Sequence, residues 1–190
     1  MQVITALGIP MKNSIGENLE ESLNNPESWI RQAEQQYLVA KDICKNVRVR
    51  GVTEESSLKS VGFLKATTLL LALCVENSFK GIKAANGMFE VDERGILTKA
   101  SRGGGGSGHS LVNLAEEVGF SLSENEISVL ERFSEIGIWA GKYHVPIRQK
   151  AFDKMCTENP KSLSMPGDLI LVRNILDKAT KLSGVAAVLS

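Results

Sequence analysis

The sequence predicts an all-α fold: an up-down bundle of about five helices, with an irregular segment in front of it. Three observations carry this. The run Leu69-Leu70-Leu71-Ala72-Leu73-Cys74-Val75 is unbroken apolar and sits inside a longer stretch, Ser60 to Ala85, whose apolar residues keep helical spacing. Helix-start signals recur along the chain, at Asn25-Pro26-Glu27, Ser123-x-x-Glu126 and Pro166-Gly167-Asp168. Strand signals are confined to short stretches broken by glycine or proline.

Residues 1–25 read as an irregular N-terminal extension. Val3 to Ile9 has the composition of a short strand, but Gly8, Pro10 and Gly16 interrupt anything longer. Asn25 then caps a first helix, predicted over Pro26–Asn46. The proline stands where a missing N–H costs nothing and Glu27 faces the positive end of the helix dipole. Ile30, Ala33, Tyr37, Ala40 and Cys44 form its inward stripe. Its end is basic, with Lys41, Lys45, Arg48 and Arg50. These cations either complement the helix C-terminus or form a patch for phosphate.

The second helix, Ser60–Ala85, is the centre of the chain and the antiparallel partner of the first. Leu64, Leu71, Val75, Phe79 and Ile82 hold helical register, and apolar residues on nearly every side call for partners all round. A membrane span needs about 20 consecutive apolar residues, and Lys65 and Glu76 bracket this run too closely for that, so the helix is expected in a soluble core. Glu76 and Lys80 are an i,i+4 pair in the favourable order. Met88 to Leu97 reads either as a small hairpin or as a loop. A short helix is expected from His109 to a stop at Gly119, and the Ser123/Glu126 capping box opens another that ends near Gly141. Ile127, Leu130, Phe133, Ile136 or Gly137, and Ala140 face inward on it. Pro146 forbids its continuation, Pro160 and Pro166 keep the next stretch short, and a last helix covers Leu169–Leu182 with Leu169, Val172, Leu176 and Ala179 inward. The bundle thus occupies residues 26–182, and 183–190 form a tail.

Composition narrows the function. Lys plus Arg and Asp plus Glu both number 22, so no global field draws the protein to nucleic acid or to an anionic membrane, and such a contact needs a local patch. Cys44, Cys74 and Cys156 are far apart and only two histidines accompany them. Neither a structural metal site nor a disulfide framework is expected. The N-terminus lacks the basic flank and apolar length of a secretory signal, which makes a cytoplasmic location the expectation.

The most unusual composition is Arg102-Gly103-Gly104-Gly105-Gly106-Ser107-Gly108-His109-Ser110, and three readings stand side by side. Gly103-x4-Gly108-His109-Ser110 has the spacing of a phosphate-binding loop, with a histidine at the lysine position and a poor strand before it. The glycines alone are a flexible linker. Arg102 and His109 together form an Arg-x6-His arrangement with the histidine at a helix N-terminus.

The order of Glu76-Asn77-Ser78-Phe79-Lys80-Gly81, then Gly108-His109-Ser110-Leu111-Val112-Asn113-Leu114-Ala115, then Trp139-Ala140-Gly141-Lys142-Tyr143-His144-Val145-Pro146 resembles that of HEPN domains. These form a helical-bundle superfamily that includes prokaryotic toxin and defence ribonucleases and nucleotidyltransferase partners. The resemblance spans roughly residues 26–182. It is similar in particular to an uncharacterised bacterial group with the pattern Glu-x3-Lys-Gly, His-Asp-Leu, Trp-x-Gly-Arg-Tyr-Pro. Lys142 and His144 stand where that pattern has arginine and proline, and His109 opens a middle helix where the ribonuclease motif of the superfamily lies at a late one. The resemblance implies Arg102 and His109 as catalytic residues across a homodimer cleft, since HEPN ribonucleases use an Arg-x4–6-His motif. It further implies Glu76, Lys80, Lys142, Tyr143 and His144 as nucleic-acid or ligand contacts, RNA or a nucleotide as the bound molecule, no cofactor or metal, and a protein partner such as an antitoxin. A non-catalytic bundle, serving as an interaction or small-ligand module, is the competing expectation. In that case His109 is a cap, Glu76 and Lys80 a structural ion pair, and Tyr143 a core residue.

Overall fold

The structure, a computed structural model, describes residues 19–46, 53–92, 97–98, 110–139 and 166–186. Among these residues the fold is an all-α bundle: α1 Leu19–Leu23, α2 Pro26–Asn46, α3 Glu54–Ala85, α4 Leu111–Glu117, α5 Glu124–Trp139 and α6 Pro166–Leu182. Of the stretch after α3 that reads as either a small hairpin or a loop, the described residues show one antiparallel bridge, between Val91 and Leu97.

α2 and α3 form an antiparallel pair, with Ile30 against Gly81 and Gln36 bonded to Asn77 at 2.9 Å. Gly81 is what brings the two backbones close. A Cβ at that position would lie 2.7 Å from Ile30 Cδ1 and 2.9 Å from its Cγ1. The predicted stripe of α2 is confirmed: Ile30, Ala33, Tyr37 and Ala40 are buried and Cys44 half-buried. Asn25 accepts the Glu27 N–H at 3.1 Å, as an entry cap should.

α3 begins six residues before its predicted start. Thr53 and Ser56 exchange side-chain-to-backbone bonds in a capping box, and Glu54 and Glu55 follow in the first turn. At 32 residues against 21 for α2, it is about 48 Å long against about 31 Å. With Gly81 opposite Ile30, α2 ends at about the level of Ala66. The expectation of partners on every side therefore holds only for the second half of α3. There Leu71, Cys74, Val75 and Phe79 are sealed, whereas Leu58 is 67% exposed and Val61 and Phe63 are also open. By length and composition α3 is a helix that could cross a membrane.

α4, α5 and α6 all pack on the second half of α3 or on α2. Phe120, just after α4, tilts against Phe79 with centroids 5.0 Å apart. Leu130 and Phe133 of α5 and Val172, Ile175, Leu176 and Ala179 of α6 complete the apolar centre, while Ile127 and Leu169 are half-buried. Full burial of such side chains contributes about 1.5–3 kcal/mol each. α4 stops where expected. Gly119 takes φ +67°, and the Phe120 N–H reaches the Ala115 carbonyl at 2.8 Å, closing the helix end. The capping box of α5 is present, with the Ser123 N–H donating to Glu126 at 2.7 Å. α6 starts at Pro166, three residues early, so Asp168 belongs to its first turn.

Within the irregular extension expected at the N-terminus, residues 19–23 form the short helix α1. Five residues are too few for a helix to hold itself, and periodicity could not announce it. Tertiary bonds hold it in place, among them the Trp29 indole N–H donating to the Leu23 carbonyl at 2.8 Å.

Candidate functional site

Of the residues singled out from sequence, Arg102, His109, Lys142, Tyr143 and His144 lie outside the described residues. Glu76 and Lys80 are described. They form an ion pair at 2.6 Å on the flank of α3, with 22% and 30% of their side chains exposed. The Lys80 ammonium also lies 5.2 Å from the centre of the Trp29 ring on α2.

Three residues along α3 from Lys80, and unflagged by sequence, Lys83 is nearly sealed, with 2% of its side chain exposed. Its ammonium donates to Glu117 of α4 at 2.5 Å and sits 5.5 Å from the Phe89 ring centre. Phe89 in turn stacks on Trp29, with centroids 5.6 Å apart and planes 20° from parallel. Two ammonium groups, each with its own carboxylate, thus flank an aromatic pair at the C-terminal end of α3. Lys83 shares a face with Glu76 seven residues earlier, which is the one signal the sequence offered; its partner stands 34 residues further on.

A second polar cluster joins α2 to α6. Arg173 donates to Glu34 at 2.7 Å and also to Asp177, and its guanidinium lies 5.4 Å from the Tyr37 ring centre. Asp177 first, and Glu34 after it, raise the pKa of Arg173, against the opposing effect of burial. Burial raises that of Tyr37, against the lowering effect of Arg173. Burial also pushes the Cys74 thiol up to about 12, opposed by a hydrogen bond with Ser78. A third pair, Arg132 and Asp168, is bidentate at 2.6 and 3.0 Å and ties α5 to α6 in the interior. Lys83–Glu117, Arg173–Glu34 and Arg132–Asp168 each fix one helix on another, and among the described residues no group of three or more His, Cys, Asp or Glu could hold a metal ion.

The start of α4 lies against the second half of α5. Ser110 caps α4, its hydroxyl accepting the Asn113 N–H at 3.2 Å. The next N–H, of Leu111, donates to Ser134 Oγ on α5 at 3.0 Å. Ser134 stands five residues before the end of α5 at Trp139, about 7.5 Å along the axis. The chain therefore enters α4 and leaves α5 at the same end of that helix pair. Glu76 and Lys80 contact each other and α2. The chain matches no family model, no curated protein and no solved structure.

Proposed function

We propose that this chain is a HEPN-like protein that binds or cleaves RNA, or binds a nucleotide, in the cytoplasm. We further propose that it works as a homodimer, in defence or toxin–antitoxin biology with an antitoxin-like protein partner. The motif order described above suggests this. The observation that carries it is the bond between Leu111 and Ser134, which sets the start of α4, two residues after His109 in the chain, beside a residue five before the end of α5, the helix after which Lys142, Tyr143 and His144 follow in sequence. Arg102 and His109 precede α4 in the chain, and Lys142, Tyr143 and His144 follow α5.

The chemistry needs no metal. An imidazole with a pKa near neutral takes the proton of a 2′-hydroxyl as its oxygen attacks phosphorus, and returns a proton to the departing 5′-oxygen. An arginine holds the phosphate in two contacts through that change. Binding tests the first half of the proposal. A labelled single-stranded RNA titrated with the protein should bind more weakly as salt rises, and Arg102→Ala should weaken it further and flatten the salt slope by about one phosphate contact. Binding that ignores both salt and Arg102 would dismiss a phosphate clamp.

One observation favours the second reading, a non-catalytic interaction or small-ligand module. Glu76 and Lys80 are closed on each other over Trp29, as a structural pair would be. On that reading, Glu76→Gln leaves RNA binding unchanged and Arg102→Ala has no effect on it.

A further inference from the structure

The short helix α1 does more than lengthen the N-terminus, because its polar side chains are bonded to backbone far along the chain. The Asn24 amide, just after α1, donates to the Phe89 carbonyl at 2.8 Å and its oxygen accepts the Phe89 N–H at 3.1 Å. The two partners are 65 residues apart. One side chain thus satisfies both backbone groups of Phe89, as a neighbouring strand would. Glu20 accepts the Val91 N–H at 3.1 Å, 71 residues away. Trp29 adds its stack on Phe89 and ties α1 down through the Leu23 carbonyl. Stacking would bury Phe89 anywhere along the Trp29 face, whereas the paired Asn24 bonds fix the position of the backbone, because hydrogen bonds fail within a few tenths of an ångström. The held strap continues through the Val91–Leu97 bridge and the Thr98 N–H bond to the Glu90 carbonyl at 2.9 Å.

We propose that Glu20 and Asn24 are a latch that positions the strap 88–91 and so fixes the origin of the chain that reaches Arg102, four residues after Thr98. The other end of that chain is anchored by the Leu111–Ser134 bond. The latch stands on the described bonds alone; its consequence for Arg102 rests on the RNA reading proposed above. Asn24 and Glu20 are positioning residues, with no part in the chemistry.

Amide hydrogen exchange on the full chain tests the latch without any assay of activity. Asn24→Ala removes both bonds and should speed exchange of the Phe89 amide about tenfold or more, with amides in the middle of α3 unchanged. Asn24→Asp keeps the acceptor for the Phe89 N–H and loses the donor, so it should protect that amide better than Asn24→Ala. Glu20→Ala should release the Val91 amide in the same way. Unchanged exchange at Phe89 in Asn24→Ala, or exchange that rises equally in α2 and α3, would overturn the latch. For the consequence, RNA turnover by Asn24→Ala should fall about ten- to a hundredfold in kcat with KM little altered, and Asn24→Asp should restore part of it. An opened strap with kcat unchanged overturns the positioning role. A wild type that does not cleave RNA overturns the catalytic reading and leaves the exchange result to judge the latch.

Discussion

Lys83 and Glu76 show how much the setting of a charge decides its worth. Glu117→Gln leaves the Lys83 ammonium, with 2% of its side chain exposed, facing a neutral amide. Breaking a buried pair from one side costs roughly 3–5 kcal/mol, and urea unfolding of this variant should show a loss of that order. Glu76→Gln breaks a pair that water reaches and that lies on one helix, where about 0–1 kcal/mol is the rule. Equal losses in the two variants would contradict this ranking. Cys74 gives a pH dependence. Its thiol ionises near 9.0 when unfolded and is pushed up to about 12 by burial. The unfolded chain therefore gives up that proton first, and the stability contributed by the buried thiol is full below pH 9 and lost as pH rises towards 12. Cys74→Ala should make the alkaline decline shallower in unfolding curves taken across that range, while Tyr37 continues to contribute above its ordinary range. An identical slope would mean that the thiol is not sealed.

At the level of the helices, two glycines of α3 should respond in opposite directions to the same change. Gly62 has open space where a Cβ would stand, so Gly62→Ala should raise stability by about 1 kcal/mol through helix propensity. Gly81→Ala gains the same propensity but drives a methyl into Ile30, which is 1% exposed and has little room to move. Overpacking costs about 1–3 kcal/mol, so the net effect should be destabilising, and Ile30→Val in the same chain should recover part of it by removing Cδ1. Thermal melts of the three variants check this; a stabilised Gly81→Ala would show that the two helices are not in close contact there. Helices with both a cap and a period were legible in sequence. Pro26–Asn46 has the predicted limits, and the Ser123/Glu126 box opens α5 as expected. The start of α3 was not, because the Thr53–Ser56 cap precedes a polar turn that carries no apolar period. Nor was α1, which depends on contacts with residues far along the chain.

For the molecule as a whole, the all-α class and most of the core were written in local pattern, since a helix period needs only its own residues. The ion pairs that set one helix on another were not. Lys83–Glu117, Arg132–Asp168 and Arg173–Glu34 join residues 34, 36 and 139 apart, and nothing near each member announces its partner. The proposed site residues divide in the same way. Glu76 and Lys80 were legible as an i,i+4 pair and are one, while Arg102, His109, Lys142, Tyr143 and His144 enter through motif order and lie outside the described residues. Cleavage of RNA in excess EDTA, under single-turnover conditions and with protein purified in parallel with its variants, tests the central proposal most directly. The wild type should cleave without metal, and His109→Ala should slow the reaction by about 10²–10⁴-fold, the range proton transfer contributes, with its melting transition unchanged. A rate that survives His109→Ala, which a contaminating ribonuclease would also give, or no cleavage by the wild type, would contradict catalysis by this chain and leave the interaction module in its place.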